Sequence, residues 1–107
     1  MAWVRVGTVT AGEDWKTVGN CISSLFRVSY SFPKGAPNRV ILGHLRQKWD
    51  FQTFDARWYK LYPKARDWEI YELPVPTAFE QSGFVQRQLQ VKQAFNWDWT
   101  ITIEQWI

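Results

Sequence analysis

Cysteine, histidine and methionine each occur only once among the 107 residues. A lone Cys21 excludes an internal disulfide and a multi-cysteine zinc site, and it reads as a small buried hydrophobe. Because His44 is the one histidine, a Ser-His-Asp or Cys-His arrangement would have to be built around it. It lies between Gly43 and Leu45 with no nucleophile motif beside it. No His, Cys, Asp and Glu spacing marks a metal site. Gly7, Gly12 and Gly19 miss the dinucleotide spacing, and there is no Gly-Lys-Ser/Thr phosphate loop. Long apolar runs are missing as well. Nothing approaches the roughly 18 residues of a membrane-spanning helix, and the Met1 end lacks the basic-then-apolar pattern of a leader, so synthesis in a cytoplasm and no membrane partner are expected. The carboxylate pairs Asp50 with Asp55 and Asp67 with Glu69 are close enough in sequence to suggest glycosidase chemistry. Such pairs recur by chance, however, and so short a chain has little room for a deep substrate cleft. No enzyme activity, cofactor or metal is expected.

What the chain does have is aromatic surface: eight tryptophans, seven phenylalanines and four tyrosines. The composition, 46% apolar and 21% charged, is that of an ordinary globular protein, and the length suits a single domain over residues 1–107. A domain of this size cannot enclose every one of these rings. The surplus, each with a large apolar body and an indole N–H or hydroxyl in need of a partner, belongs at a surface that another molecule covers. Charge is uneven along the chain. Residues 1–48 carry seven basic and two acidic side chains, and residues 49–107 carry six and eight, a polarity that could help copies or partners attract one another.

The dominant period is two. Residues 2–10, 25–32, 38–45, 56–62, 67–73, 84–94 and 97–107 read as strands rich in Val, Ile, Thr and aromatics, which predicts an all-β fold, an antiparallel sandwich or barrel. Turn residues punctuate them at Gly12-Glu13-Asp14, Gly19-Asn20, Pro33 to Asn38, Pro63-Lys64 and Ser82-Gly83. His44 to Phe54 could hold a short helix. Pro74-Val75-Pro76 should be an extended edge or loop, since proline cannot donate to a ladder.

Two hairpins follow from the alternation. With Pro63 to Arg66 as a four-residue turn, Leu61 faces Trp68 and Trp58 faces Tyr71. Tyr59, Leu61, Trp68 and Ile70 then form an inner face, and Trp58, Lys60, Tyr62, Asp67, Glu69 and Tyr71 an outer one. A turn around Asn96 pairs Val91 with Ile101 and Leu89 with Ile103, and leaves Gln88, Gln90 and Lys92 opposite Glu104, Thr102 and Thr100 on a polar face. The candidate binding residues are therefore Trp58, Tyr62 and Tyr71 with Lys60 and Glu69, a composition that suits either a protein interface or the stacking of a sugar ring. Single-stranded nucleic acid also asks for interleaved rings and cations, and Lys48-Trp49, Arg57 to Lys60 and Arg66 to Trp68 supply them. Asp50, Asp55, Asp67 and Glu69 interrupt that track, so nucleic acid is not the expected partner.

The run Trp3 to Thr10, followed by Gly12 and Val18-Gly19, resembles the opening of many small virion proteins of tailed bacteriophages, in which a strand ending Gly-Thr-Val leads into a glycine-containing turn and a Val-x-Gly step. The likeness covers about 20 residues, and here Asn20-Cys21 follows Gly19 where those proteins often have Gly-Thr-x-Trp. It implies a β-rich structural component of a tail, fibre or head-to-tail connection, located in the virion and working as a homo-oligomer with other virion proteins. It transfers no site residues. The alternative is a carbohydrate-binding module with a Trp/Tyr platform and a glycan as its partner.

Overall fold

A computed structural model of the protein describes residues 1–31, 41–61, 68–93 and 99–107. These residues form strands β1 (Trp3–Ala11), β2 (Lys16–Cys21), β3 (Leu25–Ser31), β4 (Ile41–Lys48), β5 (Thr53–Leu61) and β6 (Glu69–Glu72). A single helical turn, α1 (Thr77–Gln81), precedes β7 (Arg87–Gln93) and β8 (Trp99–Trp106). Two antiparallel four-stranded sheets result, ordered β1-β8-β3-β6 and β2-β7-β4-β5. The fold is an all-β sandwich, as the period of two predicts.

Alternation supplies the core. Phe26 and Val28 of β3, Ile101 and Ile103 of β8, Leu45 of β4, and Leu89 and Val91 of β7 all point between the sheets, joined by Val18, Cys21 and Leu73. Full burial of one such side chain stabilises the fold by about 1.5–3 kcal/mol relative to exposure.

The predicted strand pairings are corrected. Leu89, Val91, Ile101 and Ile103 do share the core, but β7 and β8 lie in opposite sheets. Val91 pairs with Lys16 and Leu45, and Ile103 pairs with Gly7 and Val28. Likewise β5 pairs with β4 and β6 with β3, so Leu61 meets Ile41 and Trp58 meets His44. The faces of β6 are inverted relative to the expected register. Tyr71 is opposite Phe26 and turns inward, whereas Ile70, opposite Arg27, is 65% exposed and Trp68 lies on the surface. Among the described strands only β4 and β5 form a hairpin between sequence neighbours, closed at its turn by Trp49 N–H donating to Gln52 O over 2.8 Å. The expected turns at Pro33 to Asn38, Pro63 to Arg66 and Asn96 lie outside the described residues.

Two further expectations fail. His44 to Phe54 is strand, turn and strand, and the helix is instead at Thr77–Gln81, where Pro76 O accepts the N–H groups of Phe79 and Glu80 and Gly83, at φ 82°, ends the turn. Gly19-Asn20 is not a turn but the middle of β2. There the register slips between Thr17 and Gly19, just as β1 slips between Arg5 and Gly7. Each bulge leaves one extra valine, Val6 or Val18, followed by a glycine, and the two bulges meet. A Cβ on Gly7 would lie 2.0 Å from Val18 O, and one on Gly19 would lie 2.3 Å from Val6 O. The Val-Gly steps of the N-terminal motif are thus where β1 and β2, edges of different sheets, cross backbone against backbone. Ser82-Gly83 turns as expected, and Pro74 to Pro76 is a loop.

One end of the sandwich is pinned by Arg87, which is 2% exposed. Its Nε donates to Gln47 Oε1 over 2.7 Å. Nη1 donates to the carbonyls of Cys21 and Val85, and Nη2 to those of Ser23 and Leu73, the nearest at 2.8 Å. Burial pulls this guanidinium below its usual pKa, yet arginine stays charged at neutral pH. Beside it the Oε1 of Gln105 accepts the N–H groups of Ile22 and Ser23.

Candidate functional site

Of the described tryptophan side chains only Trp49 is buried, while Trp3, Trp15, Trp68 and Trp106 reach the surface. Tryptophan surface is therefore present on Trp3, Trp15, Trp68 and Trp106, none of which was among the expected binding residues. Tyr71 is half-buried, its ring centroid 6.0 Å from that of Phe26. Tyr62 lies outside the described residues. For Trp58, Lys60 and Glu69 the register is described: Trp58 is opposite His44, Lys60 opposite Leu42 and Glu69 opposite Val28, so Glu69 belongs to one sheet and Trp58 and Lys60 to the other.

The outer face of the β1-β8-β3-β6 sheet carries a ring of aromatics around an ion pair. Arg27 Nε donates to Glu104 Oε1 over 2.8 Å, and both side chains are mostly shielded. The guanidinium carbon also lies 4.7 Å from the Trp3 ring centroid and 4.1 Å from that of Trp68, within cation–π range. Trp106 tilts against Trp3 at 58° with centroids 5.2 Å apart. The register explains the cluster, because Trp3 pairs with Trp106, Arg5 with Glu104, Arg27 with Glu104 and Ile70 with Arg27. Exposed Arg5, Trp68 and Ile70 frame it. Such a locked guanidinium pre-orients the rings and lowers the ordering cost of a contact.

The opposite sheet is different in charge. Strands β2, β4, β5 and β7 contain Lys16, Arg46, Lys48, Arg57, Lys60, Arg87 and Lys92 against Asp55 alone, whereas the first sheet's strands contain Arg5 and Arg27 against Glu69, Glu72 and Glu104. On its outer face Trp15 lies under Arg46 at 4.1 Å and Lys92 at 4.9 Å, and His44 meets its ring edge-on at 5.8 Å. Gln90 holds Arg46 through its Oε1 and donates from Nε2 to Thr17 Oγ1. Where β4 turns into β5, a cleft of about 450 Å³ opens between Asn20, Lys48, Asp50, Phe51, Phe84 and Gln88. Phe51 and Phe84 are 55% and 50% exposed with centroids 5.1 Å apart, backed by Phe79 of α1 and by Trp49, whose indole N–H donates to Phe84 O.

Both the single cysteine and the single histidine are shielded, Cys21 in the core and His44 beside Trp15 on the outer face of its sheet. The Cys21 thiol is fully buried, is raised in pKa by desolvation, and donates to Ser23 O. His44 is held below its ordinary 6.5, first by burial and then by the charge of Lys92. A histidine with a depressed native pKa binds protons more readily in the unfolded chain, so its contribution to stability is complete above about pH 6.5 and declines as the pH falls below it. Urea unfolding between pH 7.5 and 5 should therefore show a steeper loss for the native protein than for His44→Gln; parallel losses would remove His44 as a cause.

Sequence reasoning missed Trp3, Arg27, Trp106 and Trp15 as surface anchors because spacing within one strand does not show which strand lies beside it. No family model, curated protein or solved structure matches the chain. The class that fold and surface define is a two-sheet β-sandwich with aromatic, charge-segregated outer faces.

Proposed function

We propose that this chain is a non-enzymatic structural protein that assembles in several copies through the outer face of its β1-β8-β3-β6 sheet. A tailed-bacteriophage particle is the setting that the N-terminal resemblance implies. The observation that carries the reading is the cluster of Trp3, Trp68 and Trp106 around the Arg27–Glu104 pair. Tryptophan and arginine are the residues most often found as anchors of protein interfaces, and symmetric copies would cover such a patch repeatedly. A glycan platform fits it less well. Sugars stack on ring faces that are flat and open, whereas Trp3 and Trp106 are tilted and Arg27 occupies a face of both Trp3 and Trp68.

Sedimentation velocity tests the assembly. The wild-type chain should form a defined oligomer at micromolar concentration. Trp68→Ala should shift it towards monomer, with a loss of about 2 kcal/mol or more in association. Because Trp68 is partly exposed and its described contact is the cation–π one with Arg27, the unfolding free energy should move by only about 1 kcal/mol. A wild-type chain that stays monomeric and shows tryptophan quenching by oligosaccharides would replace this reading with the carbohydrate-binding one.

A further inference from the structure

We infer that the outer face of the β2-β7-β4-β5 sheet, together with the adjoining cleft, binds single-stranded nucleic acid. Folding thins the interruption that the linear sequence suggests, although Asp50 and Asp55 stay with β5 and the turn that leads into it. Glu69 is carried to the other sheet by β6, while Arg46, Lys48 and Lys92 are brought side by side on neighbouring strands. In the register Lys92 is opposite His44, Gln90 opposite Arg46 and Gln88 opposite Lys48, so each cation has an amide or the imidazole across from it on the β4-β7 pair. An eight-residue strand such as β4 spans about 26 Å, enough for a few nucleotides.

The three chemistries that a single strand requires are in series. The cationic pair over Trp15, with Lys48 further along, faces phosphates. Gln88 and Asn20, themselves paired across β7 and β2, offer amide donors and acceptors to base edges. At the far end Phe51 and Phe84 present half-open rings in a cleft of about 450 Å³, in the range of pockets that take a small ligand, where an unstacked base can lie. Asp50 is the carboxylate lining that cleft, and it can accept from an exocyclic amine. A duplex hides its base faces and cannot use the two phenylalanines, so the strand is single. The site lies on the sheet opposite the proposed assembly face and does not depend on it.

Fluorescence anisotropy with a labelled oligo(dT) of fifteen nucleotides, using the full chain, provides the test. With three phosphates neutralised, log K should fall against log salt with a slope of about −2, roughly a 20-fold loss between 50 and 200 mM. Lys48→Gln with Lys92→Gln should reduce that slope by about 1.4, and Phe51→Ala should weaken binding about tenfold at fixed salt. Arg5→Gln on the other sheet should leave both unchanged, and melting curves should show all variants folded. Absence of binding at 50 mM salt would overturn the inference. Equal affinity for a fifteen-base-pair duplex would do so too, as would a Phe51→Ala variant that binds oligo(dT) and heparin as the wild type does, since the face would then be a general polyanion surface.

Discussion

Gly7→Ala is expected to destabilise the protein by roughly 3 kcal/mol or more, with Gly19→Ala close behind. A methyl group at either position lands on the carbonyl oxygen of a bulged valine across the β1–β2 crossing, at 2.0 Å and 2.3 Å, and the obstacle is backbone rather than a side-chain tip that could swing away. Relief requires the two strands to separate, which pulls Val6 and Val18 out of their packing. For a domain of this size the fall in Tm should exceed about 10 °C. Both substitutions open the same crossing, so the double variant should lose less than the sum of the two. Gly12→Ala is the control, because nothing stands within 4 Å of its Cβ position. Thermal unfolding of the four proteins decides the point; equal melting of Gly7→Ala and Gly12→Ala would mean that the strands do not touch there.

Arg87→Ala should cost roughly 3–5 kcal/mol, because removing the guanidinium leaves Gln47 Oε1 and carbonyls of Cys21, Ser23, Leu73 and Val85 buried without their donor. Arg87→Lys should recover only part of the loss. An ammonium keeps the charge but places its three donors at one point, whereas these acceptors are spread around the planar fork. Guanidinium chloride unfolding of the two variants tests this, and a lysine variant within about 1 kcal/mol of wild type would show that charge, not geometry, is what the pocket requires. The acceptors belong to β2 and β4 and to segments adjoining β3, β6 and β7, so the substitution should loosen both sheets together.

The inward faces of β7 and β8 were legible from the sequence because Leu89, Val91, Ile101 and Ile103 alternate with polar residues, and alternation follows directly from the pleat. The pairings were not legible. Successive strands change sheets at nearly every connection, and an arch between sheets leaves the same alternation in the sequence as a hairpin within one. Face inversion in β6 has a related cause: Trp68 and Ile70 on one side, and Tyr71 and Leu73 on the other, are both apolar enough to be core. β2 escaped notice because its bulge puts two residues between the inward Val18 and Cys21, which breaks the period. The candidate site was legible only as a surplus of rings. Which rings would converge depended on β1, β8 and β3 lying side by side, a matter of topology rather than local pattern.

The pairing of Trp3 with Trp106, and of Ala2 with Ile107 through two backbone hydrogen bonds, sets the order of events during folding. The first strand can find its ladder only when the eighth exists, and β8 is also what joins β1 to β3. Loop-closure entropy must therefore be met over almost the whole chain before that sheet holds together, which places the protein among the slow, non-local folders. On the ribosome β1, β2 and β3 would emerge with open edges and wait for the last segment, while the β4–β5 hairpin, formed from sequence neighbours, is the piece able to close first.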